Sequence, residues 1–253
     1  MNWNKQTAGV WERVAVRLLA AAMGLTAGGV VAVLGFLLYF CRPLLTGKHL
    51  GQIFSWHWQP FTGQFGILPM VVGSLLLTVS AVLLALPLTL GLCGFCHGIG
   101  RGWLGQLVLG LVQLLTGIPT VVYGFVAVFV LVPRIRMWLG GSGYSWAAAA
   151  LTLALLILPT MVLLLHTQLR HLEAQQHLVG AALGLTRTQE FLWLLLPQAS
   201  RGLSAALILG WGRALGDTLI ALMLSGNAPQ LPTAPTESLR ALTAHIALVV
   251  ATE

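Results

Sequence analysis

ILPMVVGSLLLTVSAVLLALPLTLGLCGF, residues 67–95, contains no Asp, Glu, Lys, Arg or His. A helix rises about 1.5 Å per residue, so about 20 mostly apolar residues cross a ~30 Å hydrocarbon core. This stretch is long enough, and it is one continuous apolar run. A barrel strand would instead alternate over about ten residues. In lipid the backbone must satisfy its own hydrogen bonds, and a helix does so within a single segment. The stretch reads as a transmembrane helix. Working outward, four more runs qualify: Leu18–Phe40, Trp103–Val132, Trp146–His166 and Leu203–Leu224. Leu18–Phe40 is longer than the about 7–15 apolar residues of a secretory signal and has no small-residue cleavage site at its end, so it reads as retained. The fold class is all-α, a polytopic membrane helix bundle. Pro87 and Pro119 fall inside these runs, where neighbouring helices can re-satisfy the backbone.

Composition agrees. Of 253 residues, 57% are hydrophobic and only 8% charged, against about 25% charged in soluble domains. Mean hydropathy is +0.89. Disorder is excluded, since disordered chains are apolar-poor and charge-rich. Three cysteines make no disulfide scaffold. A net charge of +7 does not indicate nucleic acid, because the cations are scattered in ones and twos between apolar spans. They read as anchors at the lipid surface. With the amino terminus inside, Lys5, Arg13, Arg17, Arg101, Arg170, Arg187 and Arg201 are cytoplasmic, and Arg42, Lys48, Arg134, Arg136 and Arg240 are external. Residues 1–17 are then a cytoplasmic amino-terminal segment and 18–253 the transmembrane domain. An ordered external loop covers 41–66, with Trp56 and Trp58, and a proline-rich one covers 226–238. A cytoplasmic segment covers 167–200.

The chemistry concentrates in GWGRALGDTLIALMLSGN, residues 210–227. Arg213 and Asp217 are four apart, so on one helix they share a face and can pair. Each ionised group at a membrane helix centre costs about 2.5–3.5 kcal/mol, and such groups usually face the bundle interior or a hydrated path. Arginine stays charged and offers a planar fork to a tetrahedral oxyanion. A salt bridge that only fixes helix packing is the plainer alternative. In 167–200, the run GAALGLTRTQEFLWLLLP (180–197) reads as a helix ending near Gly184, a turn, and a second, amphipathic helix. Such a knob could dock a soluble partner. It could equally lie in the headgroup layer with Phe191, Trp193 and Leu195 in lipid.

Cys93-Gly-Phe-Cys96-His97 matches a c-type haem attachment pattern. Such attachment occurs outside the cytoplasm, whereas this stretch falls at an inner helix end, and no second cluster completes a zinc site. Buried apolar cysteines are the expectation. His166, His171 and His177 do not share one helix face and are expected to be solvated at the interface.

The 178–197 stretch resembles the coupling loop of ABC importer permeases, E-A-A, three residues, G, nine residues, I-x-L-P. Gly184, Leu194, Leu196 and Pro197 match, and Ala181 and Ala182 fit. Leu178 stands where that family has glutamate. Two further motifs are similar to those of phosphate importer permeases of the PstC type: GIPTVVYGF at 117–125, and RALGDT at 213–218 followed by SGN at 225–227. Asp217 replaces the usual glutamate. FGILP at 65–69 also fits, and the similarity extends over about residues 50–247.

The resemblance implies a permease subunit of an ATP-binding cassette importer of inorganic phosphate in a bacterial inner membrane, with five of the family's six helices. The substrate pathway it implies comprises Arg213, Asp217, Thr218, Pro119, Thr120 and Tyr123. The ATPase-coupling loop it implies comprises Ala181, Ala182, Gly184, Leu194, Leu196 and Pro197. It also implies a second permease subunit, two ATPase subunits and an external phosphate-binding protein. The chain itself is expected to be no enzyme and to bind no cofactor or metal, with ATP and magnesium on the ATPases; nothing like GxxxxGK[ST] occurs in it. Sulfate, molybdate or tungstate are alternative cargoes, and a membrane redox or haem protein is the alternative of another class.

Overall fold

The computed structural model describes residues 5–46, 50–100 and 102–252. Lys48 and Arg101 lie outside the described residues. The chain forms two units, Met1–Phe54 and Ser55–Glu253. In the first, α1 (Lys5–Thr46) is one helix of 42 residues, followed by the short α2 (Leu50–Ile53). Its stretch Trp11–Pro43 is long and apolar enough to cross a membrane, and its side chains there are exposed.

The second unit begins with a small hairpin, β1 (Trp58–Gln59) and β2 (Gln64–Phe65), paired antiparallel with Trp58 opposite Phe65. Then come α3 (Leu68–Gly94), a π-turn (Phe95–Ile99), α4 (Trp103–Thr116), α5 (Thr120–Leu139) and α6 (Trp146–Ala182). A helical segment, Arg187–Gln198, is built from α7 (Arg187–Gln189), a second π-turn (Glu190–Leu195) and α8 (Leu196–Gln198). The unit closes with α9 (Ser200–Gly216), α10 (Leu219–Leu224) and α11 (Leu242–Thr252). The second unit is a helix bundle, and among the described residues four helices are long and apolar enough to span a membrane, α1 of the first unit and α3, α5 and α6 of the second. They become five when Arg187–Gln198 and Ser200–Gly216, bent by 71°, count as one span.

Helix α6 is the axis of the bundle. Its Ala148, Ala149, Leu153, Ile157, Met161, Val162 and Leu165 are buried against the flanking helices. Small residues let these helices approach closely. A Cβ on Gly210 of α9 would sit 2.8 Å from the Met161 sulfur, and one on Gly73 of α3 would sit 2.5 Å from the Arg240 carbonyl oxygen. That oxygen belongs to backbone and cannot swing aside. Gly73→Ala is therefore expected to cost about 1–3 kcal/mol, read as a lower unfolding temperature in detergent.

Two expectations about spans need correction. Trp103–Val132 is not one helix: it breaks at Gly117–Pro119, with Pro119 extended (ψ 144) ahead of α5. Proline has no N–H to give and disfavours helix in the residue before it. At 14 residues, α4 is about 21 Å long and too short to span alone. Leu203–Leu224 is not one helix either, because α9 ends at Gly216 and Asp217 is extended (ψ 124). By contrast α6 runs past His166 to Ala182, so the first part of 167–200 continues the span.

The loop over 226–238 is tied down at the end of the bundle where α6 starts. Trp146 N–H donates to the Glu237 carbonyl (2.8 Å), Ala147 N–H to that of Pro235 (2.9 Å), and Ser145 N–H to that of Leu224 (2.9 Å). The Leu242 N–H donates to Ser74 Oγ at 2.7 Å, and the Trp146 indole donates to Ser80 Oγ at 3.0 Å. Trp58 meets the His245 ring edge-on at 4.2 Å, which seats the hairpin on α11. The Thr233 N–H and hydroxyl both donate to the Glu237 carboxylate and hold its pKa below the ordinary value. That contribution is present near neutral pH and is lost as pH falls through the carboxylate range.

Candidate functional site

The α9–α10 break places the charged pair. Arg213 sits in the last turn of α9, half-buried, and its Nη1 donates to Thr160 Oγ1 on α6 at 2.6 Å. Asp217 does something else. Its Oδ1 accepts the Ile220 N–H at 2.8 Å, satisfying a donor left open at the start of α10. The Asp217 carbonyl accepts from the Thr243 hydroxyl at 3.2 Å, which brings α11 to the same point. The expected direct Arg213–Asp217 ion pair is therefore absent among the described residues. The helix that would stack the two side chains stops between them. They remain within electrostatic reach of each other. Thr218, half-buried, starts α10, and its carbonyl accepts the Leu222 N–H at 2.9 Å.

The second break lies nearby. Tyr123 donates its hydroxyl to the Leu115 carbonyl at 2.8 Å, pinning the start of α5 to the end of α4. Its ring is close enough to Arg213 for the guanidinium charge to act on it. Thr120 is half-buried as the first residue of α5, and Pro119 is exposed. A cavity of about 370 Å³ runs along Val122, Tyr123, Val126 and Leu155, but its lining is apolar. The Thr152 hydroxyl there is spent on the Ala148 carbonyl. It is no anion site.

The knob forms as its residues require. Helix α6 ends in a paired closure: the Leu185 N–H donates to the Gly180 carbonyl at 3.0 Å and the Gly184 N–H to that of Ala181 at 3.1 Å. This needs a left-handed residue at 184, and Gly184 has φ +67. Thr186 then opens the next helix with a capping box, its N–H on Gln189 Oε1 at 2.9 Å. Phe191 and Leu195 turn into the bundle and are buried, while Trp193 is 74% exposed. The reading that puts all three in lipid is thereby overturned: the π-turn carries Phe191 against Gly94 of α3. Ala181, Ala182, Gly184 and Pro197 are exposed, and Leu194 and Leu196 half-buried. Together with Leu178 and Leu183 they leave an apolar outer face.

Two features were not foreseen. One is Thr160, whose hydroxyl holds Arg213; a threonine inside an apolar run carries no distinguishing pattern. The other is a polar cluster on His97. Its Nδ1 lies 2.9 Å from Glu173 Oε2, and its Nε2 lies 2.9 Å from His166 Nδ1. His166 is therefore not simply solvated. His166 and Glu173, seven apart, fall on one face of α6, a signal the sequence did carry. The side chain of His177 lies outside the described residues. Cys93 and Cys96 are buried free thiols whose sulfurs face the carbonyls of Val162 and Gly105. With both nitrogens of His97 engaged, the haem-type reading has no iron ligand to use. Among the described residues no three ligating side chains converge for a metal.

The model of binding-protein-dependent transport system inner membrane components matches residues 91–252, which include both helix breaks and the knob. The chain is 34% identical over 197 residues to the probable ABC transporter permease protein YqgH of Bacillus subtilis, covering 77% of this chain and 64% of that protein. It is 28% identical to the phosphate transport system permease protein PstC of Pasteurella multocida, covering 80% of this chain and 69% of that one. Against the protein of the same name from Mycobacterium leprae it is 29% identical, covering 76% and 67%. The match runs from the end of α3 through α11, and the chain belongs to the family of binding-protein-dependent transport system inner membrane components, as a multi-pass membrane protein.

Proposed function

We propose that this chain is a permease subunit of an ATP-binding cassette importer that moves inorganic phosphate across the inner membrane. The observation that carries the reading is mechanical. One uninterrupted helix, α6, holds Arg213 through Thr160 and ends, about 33 Å further on, in the exposed knob. A push on the knob is felt at the guanidinium. Relatives named as phosphate permeases supply the cargo. Pro159 removes one hydrogen bond from α6 just before Thr160, which gives the shaft a point at which to flex.

In this reading the knob faces the cytoplasm and docks one of two ATPase subunits, which hold ATP and magnesium. A second permease subunit completes the path, and an external phosphate-binding protein delivers cargo at the end where 226–238 folds over. Phosphate passes between the two helix breaks. Arg213 neutralises its charge there, and Thr218, Thr120, Tyr123 and the Pro119 turn line the way. Asp217 sets the start of α10 and, beside Arg213, limits how tightly an anion is held. Closure of the ATPases shifts the bundle between two arrangements.

The test is uptake of radiolabelled phosphate by the reconstituted complex. Unlabelled phosphate is expected to compete, and sulfate and tungstate in tenfold excess are not. Equal competition by either of the last two would move the cargo assignment to another oxyanion.

A further inference from the structure

The His97 cluster takes no part in the path, yet it occupies the joint between the bundle and the knob. His97 lies in the π-turn that ends α3, is 5% exposed, and reaches α6 with both ring nitrogens. The π-turn and the end of α3 both touch the knob: a Cβ on Gly98 of the π-turn would meet Thr188, and one on Gly94 of α3 would meet the Phe191 ring. Three parts of the molecule, the end of α3, the α6 shaft and the second helix of the knob, thus meet at the π-turn that carries this imidazole. π-Turns are often found at functional positions.

Proton counting decides what this chain of groups can do. An ionised Glu173 only accepts, so His97 Nδ1 carries a hydrogen, and in the neutral ring Nε2 is then an acceptor. The His166 Nδ1 must donate to it. Two contacts are made with two hydrogens, and both imidazoles are neutral. One extra proton fits on His166 Nε2 without disturbing either contact. A second is not accommodated on His97: on Nε2 it puts two N–H groups head to head at 2.9 Å, whereas on Glu173 Oε1 it leaves Oε2 to accept from Nδ1–H but removes the charge that strengthens that bond. The cavity beside the pair, about 290 Å³, is lined by Cys96, Gln106, Arg170 and Glu173 as well as the two rings, and its exposed Arg170 brings it into contact with water.

We propose that Glu173, His97 and His166 form a proton-sensitive clamp. It ties the end of α3 to the knob's shaft while it carries at most one extra proton, and it lets go on taking a second. Among the described residues, the charged and titratable groups beside it are Arg170 and Glu173 on α6 and Cys96 in the π-turn, with Cys93 one turn back on α3; Arg187 and Glu190, paired at 3.0 Å, lie on the knob helix that packs on the π-turn. The clamp's effect on import, a loss of knob bracing and of transport as the cytoplasmic side acidifies, rests on the permease reading. The clamp itself does not.

The experiment is amide hydrogen exchange on the full chain in lipid nanodiscs, followed at residues 95–100 between about pH 8 and pH 5, where imidazoles titrate. Rates are corrected for the intrinsic pH dependence of exchange. Protection in the wild type is expected to hold and then fall at least about tenfold on acidification, as local opening becomes easier. In His166→Gln, whose amide still donates to His97 but cannot take the extra proton, protection is expected to stay level. His97→Gln gives the same reading from the other partner should the first variant fold poorly. Flat protection in the wild type, or an equal fall in both variants, overturns the clamp. Phosphate uptake is scored separately: a pH-dependent opening without uptake removes only the transport reading, and uptake with flat protection removes only the clamp.

Discussion

Arg213→Gln is expected to abolish phosphate uptake and to leave the protein folded and assembled. Glutamine is of similar polarity but two bonds shorter than the Nη1 that reaches Thr160, so the variant gives up that one half-buried hydrogen bond and leaves the apolar α9–α6 packing in place. What disappears is the positive charge, together with the forked donor set that suits an oxyanion. Removing one partner of a desolvated charge-assisted contact costs about 2–5 kcal/mol. That corresponds to uptake lower by roughly thirtyfold to several thousandfold. Uptake at the normal rate by this variant would remove Arg213 from the path. Asp217→Asn separates two roles of its neighbour. The amide oxygen still accepts the Ile220 N–H, so the start of α10 is kept, while the negative charge beside Arg213 is lost. Assembly is expected to be normal and the rate of uptake to change; an unchanged rate would leave Asp217 as a cap only.

Gly184→Trp is expected to prevent the ATPase from co-purifying with the chain, with Gly184→Ala close to normal. A Cβ at 184 meets nothing within 4 Å, so the alanine variant does not clash inside the protein. Both variants carry the strain of φ +67, about 1–2 kcal/mol for an L-residue in the left-handed region. Only tryptophan adds an indole to the exposed end of the knob, between Ala181, Ala182 and the 186–197 helix. The difference between the two variants therefore isolates bulk at the docking face from backbone strain. Equal co-purification of the ATPase with the tryptophan variant and the wild type would take docking away from this face.

Two particular segments show how far the primary structure could be read. In 180–197, Gly184, Thr186 and Gln189 announce a helix stop, a turn and a capped restart, and each does so through bonds to residues within five positions. The knob was legible because its instructions are local. In 203–224 the same kind of reading failed. The local signal is slight, a single Asp217 cap on Ile220 three residues on, and the apolar run continues on both sides. The break exists where Asp217 takes the Ile220 N–H and the Thr243 hydroxyl takes hold of the Asp217 carbonyl, and Thr243 is remote in the chain.

By itself the chain of residues determined that this is a membrane bundle, roughly where its apolar runs lie, and that a positive and a negative group are carried into lipid. Those are properties of run length and charge, which accumulate along one dimension. Tertiary structure alone decided that Arg213 answers to Thr160 instead of Asp217, that α6 is the continuous shaft, and that His97 meets His166 and Glu173. In each case the partners lie on different helices. Which donor finds which acceptor there depends on how closely glycine and alanine let those helices approach, and no spacing within one segment records that distance.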